Sequence, residues 1–200
     1  MDLPKRDDTL IRMARLDDAP ALAKLLNIAG EGIPLWLWRQ STESNEDALS
    51  LGAQRAARDS GDFSYTNAHV AEVKGSIAGM LLGYRLPASY DTSGLDNVPA
   101  IVRPLIELES LVPGSWYVNA IATWDDFRGH GLGTRLLTVA HRLARSSGAN
   151  SLSIIVALAN TGAYRLYERV GYKAVATRPI IPFPGFELSG DWILMDCPLN

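Results

Sequence analysis

The chain has little of several things, and each shortage narrows what it can do. Its 200 residues include a single cysteine, Cys197, so no intramolecular disulfide can form and a reducing, cytoplasmic setting is expected. No apolar run approaches the roughly eighteen residues that a membrane span needs, so no membrane partner is expected. Met1 to Thr9 mixes charges without an apolar core. It reads as a disordered tail and not as a signal peptide. Positive charge is not in excess: 19 Lys and Arg face 22 Asp and Glu, a net charge of −3, with no basic stripe. That argues against a nucleic-acid surface. The three histidines, His69, His130 and His141, are scattered, with no carboxylate or cysteine at metal-ligand spacing, so no metal centre is expected. Internal repeats and low-complexity segments are also missing.

What is there suits one compact domain over residues 1–200. With 47% hydrophobic residues, a chain of this length can bury roughly 70% of its unfolded surface. Strand-like and helix-like patterns alternate along it. Leu10 to Ala14 reads as a strand, and Asp17 or Asp18 caps a helix with Ala21, Leu22, Leu25 and Leu26 on one side. Asn45 to Arg58 reads as a second helix, and Tyr65–Val73 with Ser76–Tyr84 as a hairpin turning at Lys74-Gly75. A long connection over 85–115 follows, containing four prolines; loops of that length are usually functional or mobile, and a lid over an acceptor site is one reading. Within it Ile101, Leu105, Leu108 and Leu111 could line one side of a helix. Then come a strand at Trp116–Thr123, an amphipathic helix at Leu132–Ser147 and a buried strand at Asn150–Leu158. A short helix and strands at Tyr172–Arg178 and Trp192–Cys197 finish the chain.

The most informative stretch is Ile121-Ala-Thr-Trp-Asp-Asp-Phe-Arg-Gly-His-Gly-Leu-Gly-Thr134, where a strand ends and a helix begins. Gly129, Gly131 and Gly133 lack a Cβ, so an anion can reach backbone N–H groups at the first turn of a helix, where donors are unpaired and the dipole is positive. Arg128 adds a permanent cation with a planar fork of donors suited to phosphate. The loop therefore reads as a pyrophosphate cradle, against the plainer alternative of a glycine turn without a ligand. A Walker A loop would need Gly-Lys-Ser/Thr, which does not occur. A dinucleotide fingerprint would need G-x-G-x-x-G and an acidic residue about twenty positions on, where this chain has Ser153.

The segment resembles the acyl-CoA loop of the GNAT N-acetyltransferase superfamily, Arg/Gln-x-x-Gly-x-Gly/Ala, with Arg128, Gly131 and Gly133 in register. A second stretch, Asn160-Thr-Gly-Ala-Tyr-Arg-Leu-Tyr-Glu-Arg-Val-Gly-Tyr172, resembles the family pattern Asn-x-x-Ala-x-x-Leu-Tyr-Glu-Lys-x-Gly-Phe, with Arg169 for the lysine and Tyr172 for the phenylalanine. Ala163, Leu166, Tyr167 and Val170 would share one helix face, and Gly171 would stop that helix. The resemblance covers nearly the whole chain and implies a single-domain α/β (α+β) fold. Its central sheet would be mixed and mostly antiparallel, with splayed fourth and fifth strands and helices on both faces.

The same resemblance implies acetyl-CoA as acyl donor. The backbone groups of Ile121, Ala122 and Thr123 would hold the pantetheine arm, and Arg128, Gly129, His130, Gly131, Leu132, Gly133 and Thr134 the pyrophosphate. Asn160 matches a residue that contacts pantetheine; its plain alternative is a helix N-cap, worth about 1 kcal/mol. Tyr167 matches the tyrosine that protonates the departing CoA thiolate; its plain alternative is a core tyrosine. The implied reaction is direct attack of an amine, of a small molecule or a protein, on the donor in a ternary complex. A silent acyl-CoA-binding module is the alternative, and a homodimer is compatible with either. The base stays open. Tyr117 stands where histone-type relatives carry a glutamate, so Glu107, Glu109 or water could take the proton. Trp36 and Trp38, in the stretch joining the first two helices, either line the acceptor pocket or staple helices to the sheet.

Overall fold

A computed structural model of the protein describes residues 9–42, 47–185 and 189–199. It divides into two compact units, one from Met1–Gly83 and Ala120–Thr138, the other from Tyr84–Asn119 and Val139–Asn200. Among the described residues the strands form a mixed sheet in the order β1-β2-β3-β4-β5-β7-β6. Their ranges are β1 Thr9–Met13, β2 Ala68–Val73, β3 Ser76–Arg85, β4 Trp116–Thr123, β5 Ser151–Ala157, β6 Lys173–Pro179 and β7 Asp191–Pro198. The helices are α1 Ala19–Ala29, α2 Ile33–Ser41, α3 Ala48–Ala56, α4 Arg103–Glu109, α5 Leu132–Ser146 and α6 Thr161–Arg169. β4 and α5 each supply residues to both units. No helix of the described residues is long and apolar enough to cross a membrane.

In the first unit β1, β2 and β3 form antiparallel pairs, Thr9 opposite Val73 and Ala68 opposite Leu82. Thr9, assigned from sequence to the tail, opens β1; the rest of that tail lies outside the described residues. Leu22 and Leu25 of α1 pack with Val70, Met80, Leu82 and Ala120. Asp18 stands at the N-cap of α1, as expected, but its side chain makes no cap bond to that helix. Asp18 instead accepts from the Arg15 N–H at 2.7 Å and binds Arg12 at 2.7 Å, while Arg12 Nε reaches Glu72 at 2.8 Å. The carboxylate is thus spent on tying the start of the chain to β2.

The Trp36–Trp38 stretch is not a connection but part of α2. Pro34 sits in its first turn, where a fixed φ favours helix and the missing N–H is no loss. Trp38 is buried and stacks on Phe63 with centroids 6.0 Å apart, and a Cβ on Gly52 would lie 2.5 Å from its ring. The tryptophan therefore serves packing, and the glycine is there because the ring fills its space. The second expected helix is shorter than Asn45–Arg58: α3 begins at Ala48, capped by Asp47, whose side chain accepts from the Leu49 N–H. The start of that expected helix falls outside the described residues.

In the second unit β5 pairs antiparallel with β7 along its whole length, and β6 pairs antiparallel with β7. β4 and β5 are parallel, but their ladder covers only Trp116–Val118 opposite Leu152–Ile154 although both strands run on. The pairing thus stops before either strand does. Buried Ser115 and Ser153 share a hydroxyl hydrogen bond of 2.7 Å at this point. The connection over 85–115 contains two 3-10 turns and α4. Leu108 and Ile101 are buried, but Leu111 is 52% exposed, because α4 ends at Glu109 and the face does not extend that far.

Candidate functional site

Burial alternates along β4 from Val118 onward. Trp116, Val118, Ala120 and Ala122 are buried on one face, and on the other Tyr117 is buried while Asn119, Ile121 and Thr123 are half-buried. Residues Asn119 to Thr123 lie beyond the end of the parallel ladder. In the first unit the strand end is held tightly: the Trp124 N–H donates to the Ala78 carbonyl at 3.0 Å, and a Cβ on Gly79 would come within 2.7 Å of the Ala122 carbonyl oxygen. Ile121, Ala122 and Thr123 are therefore fixed in position by backbone packing on β3.

A 3-10 turn at Asp125–Phe127 leads into the glycine loop. Gly129 and Gly131 have φ of +78° and +77°, a region that L side chains rarely adopt, and a Cβ on either would meet nothing within 4 Å. The loop is open on the side those hydrogens face. Helix α5 starts at Leu132, and the Arg135 N–H makes the bond to the Gly131 carbonyl at 3.1 Å. The N–H groups of Leu132, Gly133 and Thr134 precede that ladder, at the positive end of the helix dipole. Arg135 in turn donates from Nη2 to the Thr9 carbonyl at 2.8 Å, anchoring the first turn.

Arg128 is exposed and pairs with Asp125 at 2.9 Å, also exposed. Exposed pairs are worth about 0–1 kcal/mol, so the guanidinium can turn to a stronger anion at little cost. Half-buried His130 has a buried Nδ1 without a hydrogen-bond partner among the described residues. Thr134 is exposed at the first turn of α5. An open loop with two left-handed glycines, a cation and an orphaned imidazole nitrogen fits a pyrophosphate on chemical grounds. Among the described residues no group of three or more His, Cys, Asp or Glu is placed to hold a metal ion.

The second motif lies in the second unit. Asn160 caps α6, its Oδ1 accepting from the Ala163 N–H at 3.2 Å. Tyr167 is 5% exposed, with its ring 6.0 Å from that of Tyr172. Gly171, at φ +102°, ends the helix as its spacing predicts. Tyr172 meets His141 edge to face at 6.1 Å, and its buried hydroxyl has no partner among the described residues. Burial, with Cys197, Tyr167 and Asp196 nearby, pushes that phenol far above its ordinary range, so it stays protonated. Burial, aided by Arg145, pulls the His141 imidazole below its ordinary value. The geometry of Tyr167 is thus that of a packed core ring.

The two acidic candidates for the base part company. Glu107 is paired with Arg178 at 2.5 Å. Glu109 accepts from the Tyr90 hydroxyl at 2.7 Å and belongs to a group with Tyr84, Tyr117 and Asn119. Tyr84 and Tyr117 meet edge to face at 6.0 Å, and Asn119 Nδ2 donates to the Tyr84 hydroxyl at 3.2 Å. Burial first, then the Glu109 charge, holds the Tyr117 phenol well above its ordinary range. Tyr117 and Glu109 stand out in the sequence, whereas Tyr84 and Tyr90 do not. No local spacing signals them, since they meet partners 35 and 19 positions away.

A family model described as acetyltransferase (GNAT) family matches residues 32–172. No curated protein matches the chain in sequence. Solved structures do match it in fold. One described as an acetyltransferase is 24% identical, with 96% of this chain and 100% of that chain covered and a TM-score of 0.66. An N-acetyltransferase from Staphylococcus aureus Mu50 is 20% identical, over 94% and 99% of the two chains, with a TM-score of 0.59. A GNAT family acetyltransferase from Elizabethkingia anophelis, with acetyl-CoA bound, is 18% identical over 97% and 100%, with a TM-score of 0.58.

Proposed function

The chain belongs to the GNAT acetyltransferase family, and from that premise we propose that it moves an acetyl group from acetyl-CoA to an amine. The observation that carries this reading is the open glycine loop at the start of α5, directly after a strand whose parallel ladder stops at Val118. In this reading residues 1–200 act as one domain, since the matched span draws on both compact units. Backbone groups of Ile121, Ala122 and Thr123 hold the pantetheine arm. The loop from Arg128 to Thr134 holds the pyrophosphate, through N–H groups, the Arg128 guanidinium and His130. Asn160 contacts the arm with whatever hydrogen-bonding capacity its capping role leaves.

The acceptor nitrogen bonds to the acetyl carbon as the carbon–sulfur bond breaks. An alkylamine with a pKa near about 10.4 is almost fully protonated at neutral pH, so its proton must first leave to water or a nearby carboxylate. The Tyr167 hydroxyl gives its proton to the departing thiolate. The burial of Tyr167 also supports the second reading, a silent acyl-CoA-binding module in which that ring only packs. A panel of amines with acetyl-CoA, followed by release of free CoA, separates the two. Amine-dependent release supports transfer, whereas a protein that binds acetyl-CoA and releases no CoA with any amine is the silent module.

A further inference from the structure

The two terminal strands of the sheet are finished differently. β6 carries features that keep an exposed edge from pairing: Lys173 and Pro179 at its ends, and a bulge between Ala174 and Ala176. β1, at the other edge, has no lysine, proline or bulge in its five residues. Its one charged residue, Arg12, is turned to Asp18 and Glu72 of its own chain. The three most exposed large apolar side chains among the described residues gather here: Leu10 and Met13 on β1, and Leu16 in the turn that follows. An unblunted edge beside exposed apolar side chains is a template for a further strand.

The backbone of that edge is complementary to itself. The Ala14 N–H donates to the Ala68 carbonyl at 2.9 Å, continuing the register that sets Thr9 opposite Val73. Bonding alternates along an antiparallel pair, so Leu10 and Arg12 bond to β2, while Thr9, Ile11 and Met13 turn their N–H and C=O groups outward. Arg135 donates to the Thr9 carbonyl at 2.8 Å and Arg12 to the Met13 carbonyl at 3.2 Å, and each oxygen keeps a second lone pair. A two-fold axis through Ile11 sets Ile11 against its own copy and Thr9 against Met13. These are the outward residues and no others, so every outward N–H meets a C=O across the axis. The same register puts Arg12 opposite Leu10 of the copy, and no cation faces a cation. We propose that β1 pairs antiparallel with β1 of a second copy of this chain, centred on Ile11, in a two-fold dimer. The pairing stands apart from the acetyl-transfer reading, which needs only one chain.

Sedimentation of the full chain across a range of concentrations tests this. Wild type is expected to pass from monomer to dimer as concentration rises. Ile11→Pro removes the central outward N–H and no bond to β2, so it should weaken the dimer at least about tenfold while the chain stays folded. A dimer untouched by Ile11→Pro, or a wild type that stays monomeric throughout, overturns the proposal. A dimer that forms only after residues 2–8 are removed also overturns it, and gives the edge to the chain's own start. Cross-linking reads the register. In a Cys197→Ser background, Ile11→Cys should give a disulfide-linked dimer on oxidation, because opposed Cα atoms there stand about 5.5 Å apart, within disulfide reach. Thr9→Cys and Met13→Cys should not, since each would stand roughly 13 Å along the strand from its own copy. Equal cross-linking at all three positions, or none at Ile11, overturns the pairing. Should Ile11→Pro fail to fold, the cross-linking pattern decides.

Discussion

The glycine loop of the first unit and the tyrosine-lined α6 of the second are built on opposite principles. In the proposed function the loop would work through backbone: Gly129 and Gly131 hold left-handed conformations, and added Cβ atoms there would meet nothing. In the proposed reaction α6 would work through a side chain, Tyr167, which is buried and packed near Tyr172. A backbone site can be lost by adding atoms to empty space, with little harm to the core. A side-chain site placed in the core has chemistry and packing superimposed, and only a change that keeps the ring separates them.

The largest expected effect therefore lies in the second unit. Tyr167→Phe keeps the ring and removes the hydroxyl, so kcat should fall roughly 10- to 10⁴-fold with acetyl-CoA affinity and Tm nearly unchanged. A normal rate with a lowered Tm would make Tyr167 a packing residue alone. Next comes the loop itself. Gly131→Val puts a branched side chain at φ +77° and over the N–H groups, and should remove the acetyl-CoA melting shift while the far-UV spectrum stays native. A full shift in that variant would move the cradle elsewhere. Arg128→Ala should weaken CoA binding by about 1–3 kcal/mol and binding of a pantetheine fragment much less, measured by calorimetry. Equal losses for both ligands would take Arg128 off the pyrophosphate.

The smallest effect is on stability against pH. Burial alone would raise the Asp18 carboxyl, but hydrogen bonds from Arg12 and the Arg15 N–H outweigh it and leave the group below its ordinary value. A depressed folded pKa means the contribution is present above the unfolded value, near about 3.9, and fades as pH falls through the folded one. Melts of wild type and Asp18→Asn should differ at pH 7 and converge in acid. A gap that persists unchanged in acid would assign the loss to packing instead of charge.

The same contrast explains what could be read from sequence. The limits of β4 and the start of α5 were legible because strand alternation, a glycine run and a helix stripe are local patterns. The Asn160 cap and the Gly171 stop were legible for the same reason. The helical character of the Trp36–Trp38 stretch was hidden, since its amphipathic face is defined by α3 and Phe63, which come later in the chain. Asp18 looked like a helix cap because its best partner, Arg12, is favoured by the fold and not by spacing alone. The Glu109 group was half visible: Tyr117 and Glu109 stood out in the sequence, but Tyr84 and Tyr90 join it through contacts that only the folded second unit makes.

The claim on which the rest depends is that the loop from Arg128 to Thr134 binds the donor. The direct measurement is the Tm of the wild-type chain with acetyl-CoA, ATP and NAD added separately. At 100 times its Kd, acetyl-CoA should stabilise by about 2.7 kcal/mol, a rise of several degrees, with little from NAD. An equal or larger rise with ATP or NAD, and none with acetyl-CoA, would contradict the account.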